Sequence, residues 1–233
     1  MTAPGTTTET VTARALLFDM DGTLVDSRAS IEAVWFEFAD RHGIERARVA
    51  EVLPGRIASD IIAAVLGTTA DVASELAWIK RCENLNSTPV HAISGASEFL
   101  SSVPADRWAV VTAAPRAMMI RRLHAAGLPI PAVAVCAEDV NAGKPDPEGF
   151  LAAAAQLGVP IGSCIVFEDS SAGMSAASRA GAVCIAIGDE TGEHAVRAQH
   201  FGELRVTVDG TSSILAVSRT GAGARSTDSG PVR

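Results

Sequence analysis

The sequence predicts an α/β fold: a parallel sheet covered by helices on both faces, joined to a smaller helical block. Three observations carry the prediction. Apolar runs of strand length recur at residues 15–18, 108–111, 132–137, 164–168 and 182–187. After residue 93 these runs alternate with helical stretches, the pattern of parallel sheets with crossover helices. Residues 28 to about 90 contain no strand run and show helical spacing instead.

Taken in order, Ala15, Leu16, Leu17 and Phe18 read as a buried strand, which Gly22 breaks. Ile31, Val34, Trp35 and Phe38 share one helical face, and Gly43 stops that helix. Residues 58–66 and 70–81 also read as helices. Residues 94–103 form a helix, followed by the strand Trp108, Ala109, Val110, Val111 that ends at Thr112. Pro115 suits the first turn of a helix that Gly127 stops. A strand follows at 132–137, and Pro147 opens a helix that Gly158 closes. Residues 164–168 are a strand, 172–180 a helix, 182–187 a strand, and 204–208 a last, weaker strand. The expected division is an α/β core from 12–26 and 92–218, a helical unit from 27–91, and disordered tails at 1–11 and 219–233. From Ser218 the composition turns to Gly, Ser, Thr and Arg, which cannot bury a core. No repeat of roughly 20–50 residues is visible.

Composition excludes several classes. The 233 residues are 48% hydrophobic, enough for a sizeable core, and carry 19 basic and 27 acidic side chains for a formal charge of −8. No block of like charge appears, which argues against nucleic acid or an anionic membrane as partner. Residues 2–12 are polar and Thr-rich, without the basic and apolar regions of a signal peptide, and no run approaches the ~20 apolar residues of a membrane span. The four cysteines, Cys82, Cys136, Cys164 and Cys184, show no CxxC spacing. Cys136, Cys164 and Cys184 fall in apolar strand-like runs and read as buried thiols, which fits a cytoplasmic location.

The chemistry concentrates at Asp19, Met20, Asp21, Gly22 and Thr23. Two carboxylates stand at the C-terminal end of a buried strand, where open α/β sheets hold their ligands. Side chains alternate along a strand, so Asp19 and Asp21 point one way and Met20 the other. Like charges this close need a cation, a shared proton, or both. The pair suits a carboxylate nucleophile beside an acid/base; a solvated Asp-Gly turn is the bland reading of the same residues.

The full string LLFDMDGTLVDS is more specific, and it resembles the first motif of the haloacid dehalogenase-like phosphotransferase superfamily. The other motifs follow in order. Thr112 resembles the second, a Ser or Thr that binds phosphate. Lys144, in GKPDP, resembles the third, a lysine that pairs with nucleophile and phosphoryl oxygens. Glu168 and Asp169, after Ile165, Val166 and Phe167, resemble the fourth, whose acids hold Mg²⁺. The resemblance spans roughly residues 12–218 and implies a Rossmann-like core.

It implies a Mg²⁺-dependent phosphatase of small phosphorylated metabolites, sugar or polyol phosphates. Phosphoryl transfer asks a protein mainly for positioning and charge neutralisation. Asp19 is expected to attack phosphorus and form an aspartyl-phosphate. Asp21 then protonates the leaving oxygen and deprotonates the attacking water. Thr112 and the Ala113 N–H bind phosphate, with Lys144 supplying positive charge. The metal set is Asp19, Asp169 and the Asp21 backbone carbonyl, with Glu168 outside them; Mg²⁺ favours oxygen ligands in octahedral geometry.

Between the first and second motifs this superfamily inserts a helical cap over the site. Here that is the helical block, with hinges expected near Asp26-Ser27 and His91–Ile93. The string LPGRIASDII resembles the cap loop of the sugar-phosphatase and β-phosphoglucomutase branch. Arg56 is then expected to reach the substrate; Asp60 either braces its helix or contacts substrate, and Glu83 is either a solvated helix residue or a ligand for substrate hydroxyls. Two departures matter. Pro54 stands where sugar phosphatases often carry His. Ile31 stands where the mutases carry the His that favours sugar transfer over water, which argues against the rival mutase reading. A non-catalytic phosphate-binding protein is the rival from another class. The expected partner is a small phosphorylated metabolite, with no nucleic acid or membrane, in a monomer or homodimer.

Overall fold

The computed structural model of the chain describes residues 10–67, 69–189, 196–209 and 214–219. In chain order its elements are β1 (Thr10–Ala13), β2 (Ala15–Phe18), β3 (Val25–Asp26), α1 (Arg28–His42), α2 (Arg46–Ala50), α3 (Ala58–Leu66), α4 (Val72–Leu85), β4 (His91–Ala92), α5 (Ala96–Ser101), β5 (Trp108–Val111), α6 (Arg116–Ala125), β6 (Val133–Val135), α7 (Glu148–Gln156), β7 (Cys164–Glu168), α8 (Ser171–Ala180), β8 (Val183–Ile187), β9 (Val196–Ala198), β10 (Leu204–Asp209) and β11 (Ile214–Arg219).

The main sheet has six strands in the order β6-β5-β2-β7-β8-β9, all parallel. β2 is central, and Ala15, Leu16, Leu17 and Phe18 are fully buried. That is why its sequence is an unbroken apolar run: both faces of the strand are covered. Side chains alternate between two cores. Leu16, Phe18, Val110 and Phe167 pack with Phe99 of α5 and Met119 and Leu123 of α6. Leu17, Ala109, Val111 and Val166 pack with Phe150 and Ala153 of α7 and Ala176 of α8 on the other face. Phe18 anchors the first core, stacked on Phe167 at 4.7 Å and edge-on to Trp108 at 6.0 Å. From β2 the chain runs outward to β5 and β6, then returns across β2 to β7. The C-terminal ends of β2, β5 and β7 therefore meet at a topological switch point.

Helices α1 to α4 build a separate apolar cluster around Trp35, Phe38, Val49, Ile62 and Ile79. Their one deeply placed acid, Glu75, is answered by Arg41 at 2.9 Å and His42 at 3.1 Å. The block joins the sheet through a two-residue ribbon in which β3 and β4 pair antiparallel, Val25 with Ala92 and Asp26 with His91. The ribbon falls where the hinges are expected.

Several expectations need correction. The segment at 204–208 is a strand, but it leaves the parallel sheet: β10 pairs with β11, and β11 with β1, in an antiparallel sheet of order β1-β11-β10. Thr10, Val11 and Arg219, assigned by sequence to the tails, are strand residues of this sheet. Leu215 and Val217 are buried in the core, which ties down a segment whose other residues are partly or fully exposed. The rest of both predicted tails lies outside the described residues. α2 and β9 have five and three residues, too short for a periodic signal. α4 runs from Val72 to Leu85 because Asp71 caps it, accepting from the Ser74 N–H at 3.2 Å. The helix expected over 94–103 is confined to Ala96–Ser101.

Candidate active site

Asp19 follows the last residue of β2, and its N–H still donates to Phe167 O of β7 at 3.0 Å. The chain then turns sharply: the Gly22 N–H donates to Val25 O at 2.8 Å, and the Leu24 N–H to Met20 O at 2.9 Å. Gly22 has φ +88°, and a Cβ there would stand 1.9 Å from Asp169 Oδ2. The Asp-Gly pair is thus a site requirement, not only a turn signal: a side chain would occupy the place of the carboxylate. Met20 is fully buried in the core, while Asp19 and Asp21 both line the cavity at the C-terminal ends of the strands. The alternation expected from the sequence holds.

Lys144 sits in the loop before α7, buried, and its Nζ donates to Asp19 Oδ1 and Glu168 Oε1. Glu168 ends β7 and is fully buried. Its Oε2 accepts from Asp169 N and Ser170 N, each at 3.0 Å, and from Ser170 Oγ at 2.9 Å. Both of its oxygens are therefore taken by protein donors. Asp169 meets Thr23 Oγ1 at 3.3 Å. Carboxylate oxygens of Asp19, Glu168 and Asp169 all lie within 4.8 Å of one another. The Asp21 side chain is outside this cluster.

Three acids around one lysine leave an excess of negative charge. Burial pushes the Asp19 carboxyl well up, and Glu168 and Asp169 add to this against the pull of Lys144. Burial and then Glu168 push Asp169 up to about 7. Burial alone would lower Lys144, but Asp19 and Glu168 hold its ammonium above the ordinary value. A buried set of hard oxygen donors with uncompensated charge fits a divalent cation.

Asp21 is held from two sides. Ser27 Oγ donates to its Oδ1 at 2.6 Å, and Arg122 Nη1 to its Oδ2 at 2.7 Å. Thr112 is buried at the end of β5, where its Oγ1 accepts from the Ala114 N–H at 3.1 Å. Ala113 lines the cavity, and its N–H has no partner among the described residues.

Asp19, Asp21, Thr112, Ala113 and Asp169 open into a cavity of about 510 Å³ between the C-terminal ends of the strands and the helical block. Arg56, Glu83 and Ile31 line it from the helical side; Asp60 is exposed on the first turn of α3 and is not part of the lining. Burial raises the Glu83 carboxyl, offset by Arg122 and Arg121. The loop before Arg56 rests on the core, since a Cβ at Gly55 would lie 2.7 Å from Ser170 Oγ.

Of the residues read from the sequence, Asp19, Asp21, Thr112, Ala113, Asp169, Arg56 and Glu83 line one cavity, with Lys144 and Glu168 buried beside it. Sequence reasoning missed Arg122 altogether and read Ser27 only as a hinge. A signal for Arg122 existed: it falls four residues after Met118 and beside Leu123, on the apolar face of α6. A cation there must have a buried partner.

The sequence profile described as haloacid dehalogenase-like hydrolase matches residues 13–181. The chain is 35% identical over 181 residues to hexitol phosphatase A of Escherichia coli strain K12, covering 75% of this chain and 82% of that one. It is 31% identical over 188 residues to glycerol-1-phosphate phosphohydrolase 2 of Saccharomyces cerevisiae, covering 74% of each. Among solved structures, a hydrolase from Pseudomonas syringae superposes with a TM-score of 0.69 at 29% identity, over 78% of this chain and 91% of that one.

Proposed function

The chain belongs to the haloacid dehalogenase-like hydrolases, and we propose that it is a Mg²⁺-dependent phosphatase of sugar or polyol phosphates acting through an aspartyl-phosphate on Asp19. One observation carries the reading: Asp19, Lys144, Glu168 and Asp169 form one buried charge cluster at the sheet's switch point, opening into a cavity of about 510 Å³. The names of the relatives, a hexitol phosphatase and a glycerol-1-phosphate phosphohydrolase, support the substrate class.

Asp19 and Asp169 would hold Mg²⁺ together with the Asp21 carbonyl, and the ion when bound offsets the charge of the phosphate dianion. Glu168, with both oxygens engaged, orients Lys144 and the loop that carries Asp169. Thr112 and the Ala113 N–H take phosphoryl oxygens. A carboxylate oxygen of Asp19 bonds to phosphorus as the ester P–O bond breaks. Asp21 gives its proton to the departing alkoxide, then takes one from water as that water's oxygen attacks phosphorus. The P–O bond to Asp19 breaks in turn, and phosphate leaves. Ile31 in the cavity wall supplies no polar group for retaining a sugar as acceptor, which favours hydrolysis over mutase chemistry.

The test is phosphate release from a panel of hexitol, glycerol and hexose phosphates and an aryl phosphate, with Mg²⁺ or EDTA. Wild type should turn over only with Mg²⁺, and folded Asp19→Asn should be inactive. Turnover by that variant, or none by wild type on any ester, would overturn the reading.

A further inference from the structure

Arg122 lies on the buried face of α6 beside Met118, Met119 and Leu123, and only 8% of its side chain is exposed. Placing a guanidinium on an apolar helix face costs desolvation, so such a residue persists where it has a specific partner. Its one hydrogen-bond partner among the described residues is Asp21, 101 positions earlier in the chain. The same carboxyl is held from the opposite side by Ser27, at the foot of α1. One anchor comes from the core and the other from the junction with the helical block. Together they occupy both oxygens and fix the two torsions by which an aspartate would otherwise turn.

We infer that Arg122 is a positioning residue: with Ser27 it holds the Asp21 carboxyl at the cavity beside Asp19, in the place from which protons are passed. The inference rests on the reading of Asp21 as acid/base. It separates two roles that a cavity-lining arginine can play. Arg122 also lines the wall shared with Glu83, so an arginine serving substrate directly would lose its effect through KM and independently of Asp21. An arginine serving Asp21 loses it through kcat, and only while Asp21 is present. Lysine lacks the planar fork that reaches a carboxylate at this angle, so Arg122→Lys should restore only part of the rate.

The experiment is a kinetic cycle on the Mg²⁺-loaded enzyme, using an aryl phosphate and glycerol 1-phosphate. It compares wild type, Arg122→Met, Asp21→Asn and the double variant. Misplacing a reacting group by about 1 Å costs roughly 10²-fold. Arg122→Met should therefore lower kcat by roughly 10²-fold, with KM little changed. In the Asp21→Asn background the same substitution should change the residual rate by no more than about twofold. Ser27→Ala, a smaller change that keeps the packing of α6, should show the same dependence on Asp21 and serves if Arg122→Met does not fold. Multiplicative losses in both backgrounds, a loss confined to KM, or an Arg122→Met enzyme as fast as wild type would overturn the inference while leaving the phosphatase reading standing. A wild type without turnover on either ester overturns both.

Discussion

Both oxygens of Glu168 are taken by Lys144, two backbone N–H groups and Ser170, whereas the Asp169 carboxylate meets only the Thr23 hydroxyl among the described residues. Neighbouring acids should therefore fail differently. Removing Glu168 leaves the Lys144 ammonium with Asp19 alone and takes the acceptor from the Asp169 and Ser170 N–H groups, and each buried polar group left unsatisfied costs about 1–3 kcal/mol. Glu168→Ala should unfold at markedly lower temperature whether or not metal is added. Asp169→Asn removes a like charge instead and should raise the melting temperature in EDTA while abolishing the gain from Mg²⁺. The sign with pH follows. Asp169 has its folded pKa raised from 3.8 to about 7, so the folded state binds the extra proton. Its contribution is favourable below that window and is lost as pH rises from about 4 to about 7. The stabilisation by Mg²⁺ should accordingly be larger at pH 8 than at pH 5; melting curves with EDTA and Mg²⁺ at both values check this, and equal shifts would contradict it. At this scale the sequence was legible where a short apolar run ends in a charged or hydroxyl residue, as at Asp19, Thr112 and Glu168. The grip of Arg122 on Asp21 was not, because no local pattern reports a contact 101 residues apart.

Among the elements, α8 shows how local chemistry serves the site. Ser170 accepts from the Gly173 N–H at 3.1 Å to start the helix and donates to Glu168 at 2.9 Å. One hydroxyl thus caps the helix and completes the loop that presents Asp169. Ser170→Ala should cost about 1 kcal/mol from the lost cap, and urea unfolding should show it together with weaker Mg²⁺ activation. An unchanged midpoint would mean that the helix end finds another partner. The main parallel strands were legible because burial on both faces leaves almost only apolar residues. β11 was not, because its six residues, Ile-Leu-Ala-Val-Ser-Arg, show no clean apolar-polar alternation and run into a Gly- and Ser-rich stretch. β9, Val-Arg-Ala, is too short to carry any pattern.

For the whole molecule, the helical block and sheet enclose the cavity together. Arg56 is exposed yet lines it, on a loop that touches Ser170. Its contact should matter most to a substrate long enough to span from Asp19 to that loop. A charged hydrogen bond is worth about 1.5–3 kcal/mol, so Arg56→Ala should cost a hexitol phosphate roughly ten- to a hundredfold in kcat/KM, with a small aryl phosphate losing little. Equal losses on both would assign Arg56 to support of the loop. The net charge of −8 makes such local cations necessary for an anionic substrate.

The ribbon of β3 and β4 has a further consequence. Val25 pairs with Ala92 and Asp26 with His91, so the chain leaves the sheet and returns to it at adjacent points. The chain's path into and out of the block is a closed stalk, and beyond it the block meets the core at separate points, as Gly55 against Ser170 and Glu83 and Asn84 with Arg121. Lengthening a flexible inserted segment twofold raises its closure free energy by only about 0.6 kcal/mol. Helices can therefore be lengthened or shortened on the side of the block away from those contacts at little cost to the sheet. The residues beyond the stalk are thus free to diverge along one stretch of sequence while the acids and the lysine of the charge cluster stay in the stretches before and after it.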